Sequence, residues 1–181
     1  MLKKSLICHP DTPSPSAHVL QVEIETHSEN AIRLRYRLTG DIAKILIPEP
    51  MPANATDGLW QHTCFELFLA QTDTPAYHEF NFSPSGQWAA YAFRDYRKRM
   101  LWTIDQPPVV TCKKTRNEFI LTARIDAAEL LADVKAHSLR LGVSAVVESL
   151  TGELAYWALH HPGERPDFHD RRSFVCRLQT C

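Results

Sequence analysis

Ile32-Arg-Leu-Arg-Tyr-Arg-Leu-Thr39 sets Ile32, Leu34, Tyr36 and Leu38 at every second position, with Arg33, Arg35 and Arg37 between them. Successive side chains of a strand point to opposite faces, so this stretch predicts a strand with one dry face and one wet face. The stretch before it, residues 19–26, has the same period: Leu20, Val22 and Ile24 against Gln21, Glu23 and Glu25. Ser28-Glu29-Asn30 between them is turn chemistry, which predicts a hairpin or a close connection. If the two strands pair, the acidic outer face of the first lies against the basic outer face of the second.

The period of two recurs along the chain. Residues 77–83, 88–94, 119–125 and 139–147 alternate in the same way, and 42–47, 60–69, 109–114, 156–159 and 173–178 are shorter strand-like runs. Pro84-Ser85-Gly86 is a turn, so the strands on either side of it continue a meander from 60–69. Residues 95–100 are charged and read as a loop or strand end. One helix is signalled near 126–134: Asp126 is placed to cap it and Glu129 stands three residues on, before Leu130, Leu131 and Val134. Prolines at 10, 13 and 15 mark residues 1–17 as a lead-in to a single domain spanning 1–181. About ten or eleven short strands with no βαβ rhythm predict an all-β fold, a two-sheet antiparallel β-sandwich of jelly-roll type.

Composition removes several classes of partner. Twenty basic residues against twenty-one acidic ones leave a net charge of −1, not the basic excess of a nucleic-acid binder. No apolar run approaches the roughly 20 residues of a membrane span, so no membrane partner is expected. The apolar start at Leu6-Ile7 stops short of the roughly 7–15 residues of an export signal, which predicts a cytoplasmic protein. The five cysteines show no paired spacing for disulfides or zinc, and Cys64 and Cys176 read as small core residues. Nothing in the pattern bears on oligomeric state.

The residues that could carry chemistry gather in the meander. Glu66 lies in an apolar strand, where a carboxylate is costly unless partnered. Glu79 and Asn81 stand two apart on one face of the next strand, and with Glu66 they converge if the strands pair. Trp88 and Tyr91 follow on opposite faces, so at most one joins them. Carboxylates, an amide and an aromatic plane are what sugar recognition asks for, since hydroxyls meet the polar groups and a ring face stacks. The alternative is a solvated outer face with Arg94 or Arg97 pairing the glutamates. Trp60, at a loop-to-strand junction, either lines a binding mouth or caps the core. Arg97, in Tyr96-Arg-Lys-Arg99, either reaches an anionic group on a ligand or ends a strand in solvent. Two carboxyls could also flank a glycosidic bond, the arrangement of a glycoside-processing enzyme. His160, His161, Asp167 and His169 carry metal-ligand chemistry, but adjacent strand histidines point to opposite faces, and no metal ligand is predicted.

Phe65-Glu-Leu-Phe-Leu69, Tyr77-His-Glu-Phe-Asn-Phe-Ser-Pro-Ser-Gly-Gln-Trp88 and Tyr156-Trp-Ala-Leu-His-His-Pro162 with Pro166-Asp-Phe-His169 resemble the DOMON-like proteins, which are related to the family 9 carbohydrate-binding modules. The resemblance runs from about Val19 to Leu178. It implies a sandwich with a concave ligand face, used in that superfamily for sugars or haem. Its sugar binders hold the ring between tryptophans; Trp157 joins the candidates by residue type and position. Its haem binders use a methionine and a histidine, for which Met51 and Met100 are the internal methionines. The expectation is therefore a protein that binds a small polar ligand, a carbohydrate or glycoconjugate, through Trp60, Glu66, Glu79, Asn81, Trp88, Arg97 and Trp157. Binding is favoured over turnover, and no cofactor is expected, with haem and calcium as the alternatives. A partner-binding module without a small ligand is the remaining reading.

Overall fold

The structure is a computed structural model, and it describes residues 1–26, 31–131 and 139–177. Twelve antiparallel strands account for most of it. They are β1 (Leu2–Cys8), β2 (Ala17–Thr26), β3 (Ala31–Gly40), β4 (Cys64–Gln71), β5 (Tyr77–Phe82), β6 (Trp88–Asp95), β7 (Lys98–Met100), β8 (Val109–Lys114), β9 (Glu118–Asp126), β10 (Leu139–Glu148), β11 (Leu154–Ala158) and β12 (Cys176–Arg177). Their order is β7-β6-β5-β4-β10-β11-β1-β2-β3-β9-β8, with β12 added to β10.

This one sheet makes two layers because β1 belongs to both. Leu2 to Leu6 pair with β2, whereas Ile7 and Cys8 pair with β11. The two halves then face each other. The Tyr36 ring from β3 lies 5.0 Å from the Phe65 ring of β4, and Phe65 stacks on Phe119 of β9 at 6.0 Å. The Tyr36 hydroxyl crosses the interior and donates to the Glu66 carbonyl at 2.8 Å. Leu34, Leu38, Leu67, Phe80, Leu121, Leu141 and Val143 fill the space between the layers.

The alternation of β2, β3 and β9 is realised as a dry inner face and a charged outer one. Glu23 stands opposite Arg35 and Glu25 opposite Arg33, with ion-pair distances of 3.5 and 3.6 Å, and Arg37 Nε meets Glu118 at 2.5 Å. In β4 the alternation gives out. Seven consecutive residues, Cys64 to Ala70, are buried, because this strand is covered on both faces. On the outer face a smaller apolar cluster joins Phe68, Tyr77, Tyr91 and Phe93 of β4, β5 and β6 with Leu59 and Phe174, which loops bring over the sheet.

Several elements differ from the sequence expectation. Residues 2–8 are not part of a lead-in but the shared strand β1. Ile42–Lys44 is a 3-10 turn instead of a strand start, anchored by the fully buried Ile42. Lys98–Met100 is a short strand, β7, where a loop or strand end was expected. The run at 173–178 divides into a 3-10 turn, Arg171–Ser173, and β12. The expected helix is described as α1 (Ala128–Leu131), and the Asp126 carboxylate accepts from the Ala128 N–H at 2.9 Å. The Glu129 side chain and residues 132–138 lie outside the described residues.

Candidate ligand pocket

On the outer face of β4, β5, β6, β10 and β11 lies a pocket of about 360 Å³. Register decides what reaches its floor. Glu66 of β4 stands opposite Asn81 of β5 on one side and Ser144 of β10 on the other. Glu79 stands opposite Phe68 and Tyr91. All of these side chains share the outer face, so two carboxyls from adjacent strands meet the same cavity.

Both carboxyls are nearly sealed from water, at 2% and 5% exposure. Glu66 Oε2 accepts from the Ser144 hydroxyl at 2.9 Å, and Glu79 Oε1 accepts from Asn81 Nδ2 at 2.8 Å. Burial pushes the Glu66 pKa well above the usual carboxylate range, and the charge of Glu79 pushes it further, against the pull of Ser144. Burial also raises Glu79, opposed by its bond from Asn81 and by Arg97 and Arg99. Asn81 is itself fully buried, and its Oδ1 has no hydrogen-bond partner.

Three loops wall the pocket. The first holds Trp60, in a 3-10 turn (Leu59–Gln61) entered through Gly58 at φ 79°. Leu59 anchors that turn in the outer cluster, and the segment before it is tied to β6 by Thr56 N–H to Trp88 O and Trp88 N–H to Asn54 O. Trp60 is 40% exposed and meets Tyr91 edge to face at 6.0 Å. The second loop is the β6–β7 turn. Arg97 sits there at φ 54°, a left-handed conformation uncommon outside glycine. Its N–H donates to the Tyr77 hydroxyl at 3.0 Å, and its guanidinium reaches Asp167 at 2.9 Å. Arg99, just beyond, lies over the Tyr91 ring at 4.1 Å and 3.6 Å from Asp57.

The third wall is the arm that follows β11 and carries Pro166, Phe168 and His169. Phe174 pins it by stacking on Phe68 at 5.4 Å, and the Arg171 guanidinium grips the carbonyls of Gln71 and Thr74. The Tyr77 hydroxyl lies 2.8 Å from His169 Nδ1. Nε2 lies 3.7 Å from Glu79 Oε2. Burial and the nearby Arg97 charge lower the His169 pKa to about 4, so the ring is neutral near pH 7.

Of the seven residues singled out in the sequence, Trp60, Glu66, Glu79 and Arg97 line the pocket. Asn81 supports it from behind, through Glu79. Trp88 points away and lines an adjoining groove with Trp102 along β6. Trp157 belongs to the inner core, because β11 turns Ala155 and Trp157 inward and Tyr156 to the pocket. Tyr91 takes the aromatic place that alternation left open between it and Trp88. Phe68, Phe93, Arg99, Ser144, Tyr156 and Phe168 were not singled out. The signal available for Phe68 and Phe93 was their phase, since they share a face with Glu66 and Tyr91. Ser144 carried none, because its pairing with Glu66 spans 78 residues of chain.

The histidines separate. His161 Nε2 meets the Ile7 carbonyl at 2.9 Å and its ring abuts His9, while His169 belongs to the pocket. Among the described residues no group of three or more His, Cys, Asp or Glu is placed to hold a metal ion. Met51 and Met100, the methionines named for haem, are exposed. No helix among the described residues is long and apolar enough to cross a membrane.

No family model matches the chain, and no curated protein matches it. Its fold is similar to that of the crystal structure of a "putative carbohydrate-binding protein" from Bacteroides uniformis ATCC 8492. The TM-score is 0.68 at 14% identity, over 96% of this chain and 84% of that one. At that identity the likeness is one of fold.

Proposed function

We propose that the protein binds a carbohydrate or glycoconjugate fragment in this pocket, as a DOMON-like sandwich related to the family 9 carbohydrate-binding modules and acting in the cytoplasm. The observation that carries the reading is the meeting of two buried carboxyls with aromatic planes from Trp60, Phe68, Tyr91 and Phe93 in one cavity of about 360 Å³. Polar groups that fix a ring's hydroxyls and flat apolar surfaces that cover its faces are the two requirements of sugar recognition. The volume lies within the roughly 300–1,000 Å³ range of small-ligand sites. The name of the structurally similar protein points the same way.

A thermal-shift screen against mono- and oligosaccharides, each with and without calcium, tests it. A ligand at about 100 times its dissociation constant stabilises the folded state by roughly 2.7 kcal/mol, which raises the midpoint by several degrees. The expected result is a sugar-dependent rise that disappears in Tyr91→Ala and in Glu79→Ala. A flat panel rejects the reading.

A second reading is favoured by one observation: Glu66 and Glu79 share a cavity and both resist ionising, the property of a general acid held ready at neutral pH. It requires turnover of an aryl glycoside that is lost in Glu79→Gln while binding is kept.

A further inference from the structure

Charge in the pocket does not balance. Each guanidinium at the rim has its own aspartate: Arg97 is held by Asp167 at 2.9 Å, and Arg99 lies 3.6 Å from Asp57. His169, beside Glu79, is neutral near pH 7. The remaining titratable neighbours are Tyr36 and Cys64 below Glu66 and Tyr77 and Tyr91 beside Glu79, and burial keeps all four in their neutral forms. Glu66 and Glu79 therefore have no cation of their own among the described residues. Behind them, Oδ1 of the fully buried Asn81, at the strand position opposite Glu66, has no hydrogen-bond partner. The floor thus offers the oxygens of two carboxyls with no cation between them, and the walls are ring faces, whose quadrupoles also attract cations.

We infer that the ligand of this pocket carries a protonated amine, and that the ammonium group enters against Glu66 and Glu79 between the rings of Phe68, Tyr91 and Phe93. This rests on the proposed sugar reading only in making the ligand an amino sugar. A hydroxyl brings one donor to such a floor, whereas an ammonium group brings three donors and a charge. An anionic ligand is disfavoured, because both guanidinium groups are engaged and the carboxyls lie beneath them. The proton balance is simple. The carboxyl pair, which holds a proton near neutral pH when the floor has no cation, releases it to solvent as the ammonium binds.

The test is isothermal titration calorimetry at about pH 7 with four probes: glucosamine, N-acetylglucosamine, cyclohexylamine and cyclohexanol. Each titration is run in two buffers of different ionisation enthalpy. Each amine is expected to bind about tenfold or more tightly than its neutral counterpart, corresponding to at least about 1.4 kcal/mol. Binding of the amines is expected to release protons, and Glu66→Gln and Glu79→Gln are expected to reduce both the preference and the release. Equal or better binding of N-acetylglucosamine overturns the inference and leaves the sugar reading standing. Cyclohexylamine binding as well as glucosamine, with neither neutral probe bound, upholds the amine and rejects the sugar. No amine outbinding its neutral counterpart overturns the inference outright.

Discussion

Glu66 is a carboxyl whose surroundings were built for its neutral form. An acid with a higher pKa folded than unfolded stabilises the fold fully only below the unfolded value of about 4.5. As pH rises past that value the unfolded chain gives up its proton first, and stability falls until the folded pKa is passed. Glu66→Gln keeps the shape and an acceptor for Ser144 but removes this penalty. Its melting midpoint is expected to match wild type near pH 4 and to exceed it increasingly through neutrality. His169 contributes with the opposite sign: its depressed pKa gives stability that is full above about 6.5 and is lost as pH falls toward about 4. That contribution cancels in the difference between the two proteins. A midpoint difference that stays flat across this range refutes the assignment. The Tyr77 hydroxyl makes a second residue-scale case. It accepts from Arg97 N–H and meets His169, so Tyr77→Phe leaves two partners unsatisfied and is expected to cost about 1–3 kcal/mol in urea unfolding. Glu66, Glu79 and Asn81 were legible in the sequence because alternation puts acids and an amide where an apolar strand has no use for them. Trp157 lies in the inner core and Trp88 in an adjoining groove, because period two separates faces but does not say which of them holds the pocket.

At the scale of elements, β2, β3 and β9 declared themselves because one face is wet, whereas β4 is covered on both sides and lost its signature. The arm after β11 carries no strand or helix period, although it supplies a whole wall of the pocket. Its attachment depends on a glycine in another element. Gly142 of β10 lies opposite Phe68, and a Cβ there would collide with ring atoms of Phe174, the residue that pins the arm. Gly142→Ala is therefore expected to cost about 1–3 kcal/mol by overpacking. It is also expected to make residues 162–174 more susceptible to limited proteolysis than in wild type. Loss of stability without faster cleavage of the arm contradicts this link between β10 and the pocket wall. Such a dependence lies outside local pattern, since Gly142 and Phe174 are brought together only by the pairing of β10 with β4 and the return of the chain over them.

For the whole molecule, the decisive element is the one whose sequence imitates an export signal. Lys3 and Lys4 are exposed on β1 and Leu6 is buried, so a strand joining two layers has the same short basic-then-apolar start as a leader. The pairing of this strand with β2 in one half and β11 in the other is long-range, which is why local pattern left it inside a lead-in. This seam makes a claim about cooperativity that can be measured, because all four tryptophans, Trp60, Trp88, Trp102 and Trp157, serve the half containing β4, β5, β6 and β11. The half built of β2, β3, β8 and β9 contains none. Tryptophan fluorescence therefore follows one half, while far-ultraviolet circular dichroism follows both. If the shared strand and the common core bind the halves into one unit, the two urea transitions coincide. Leu6→Ala, at 5% exposure, is expected to move both together by about 2–5 kcal/mol. Ile7→Ala, on the exposed side of the same strand, is expected to move neither by more than about 0.5 kcal/mol. A fluorescence transition that separates from the dichroism in Leu6→Ala would mean that the halves fold independently, and that β1 tethers them without coupling them.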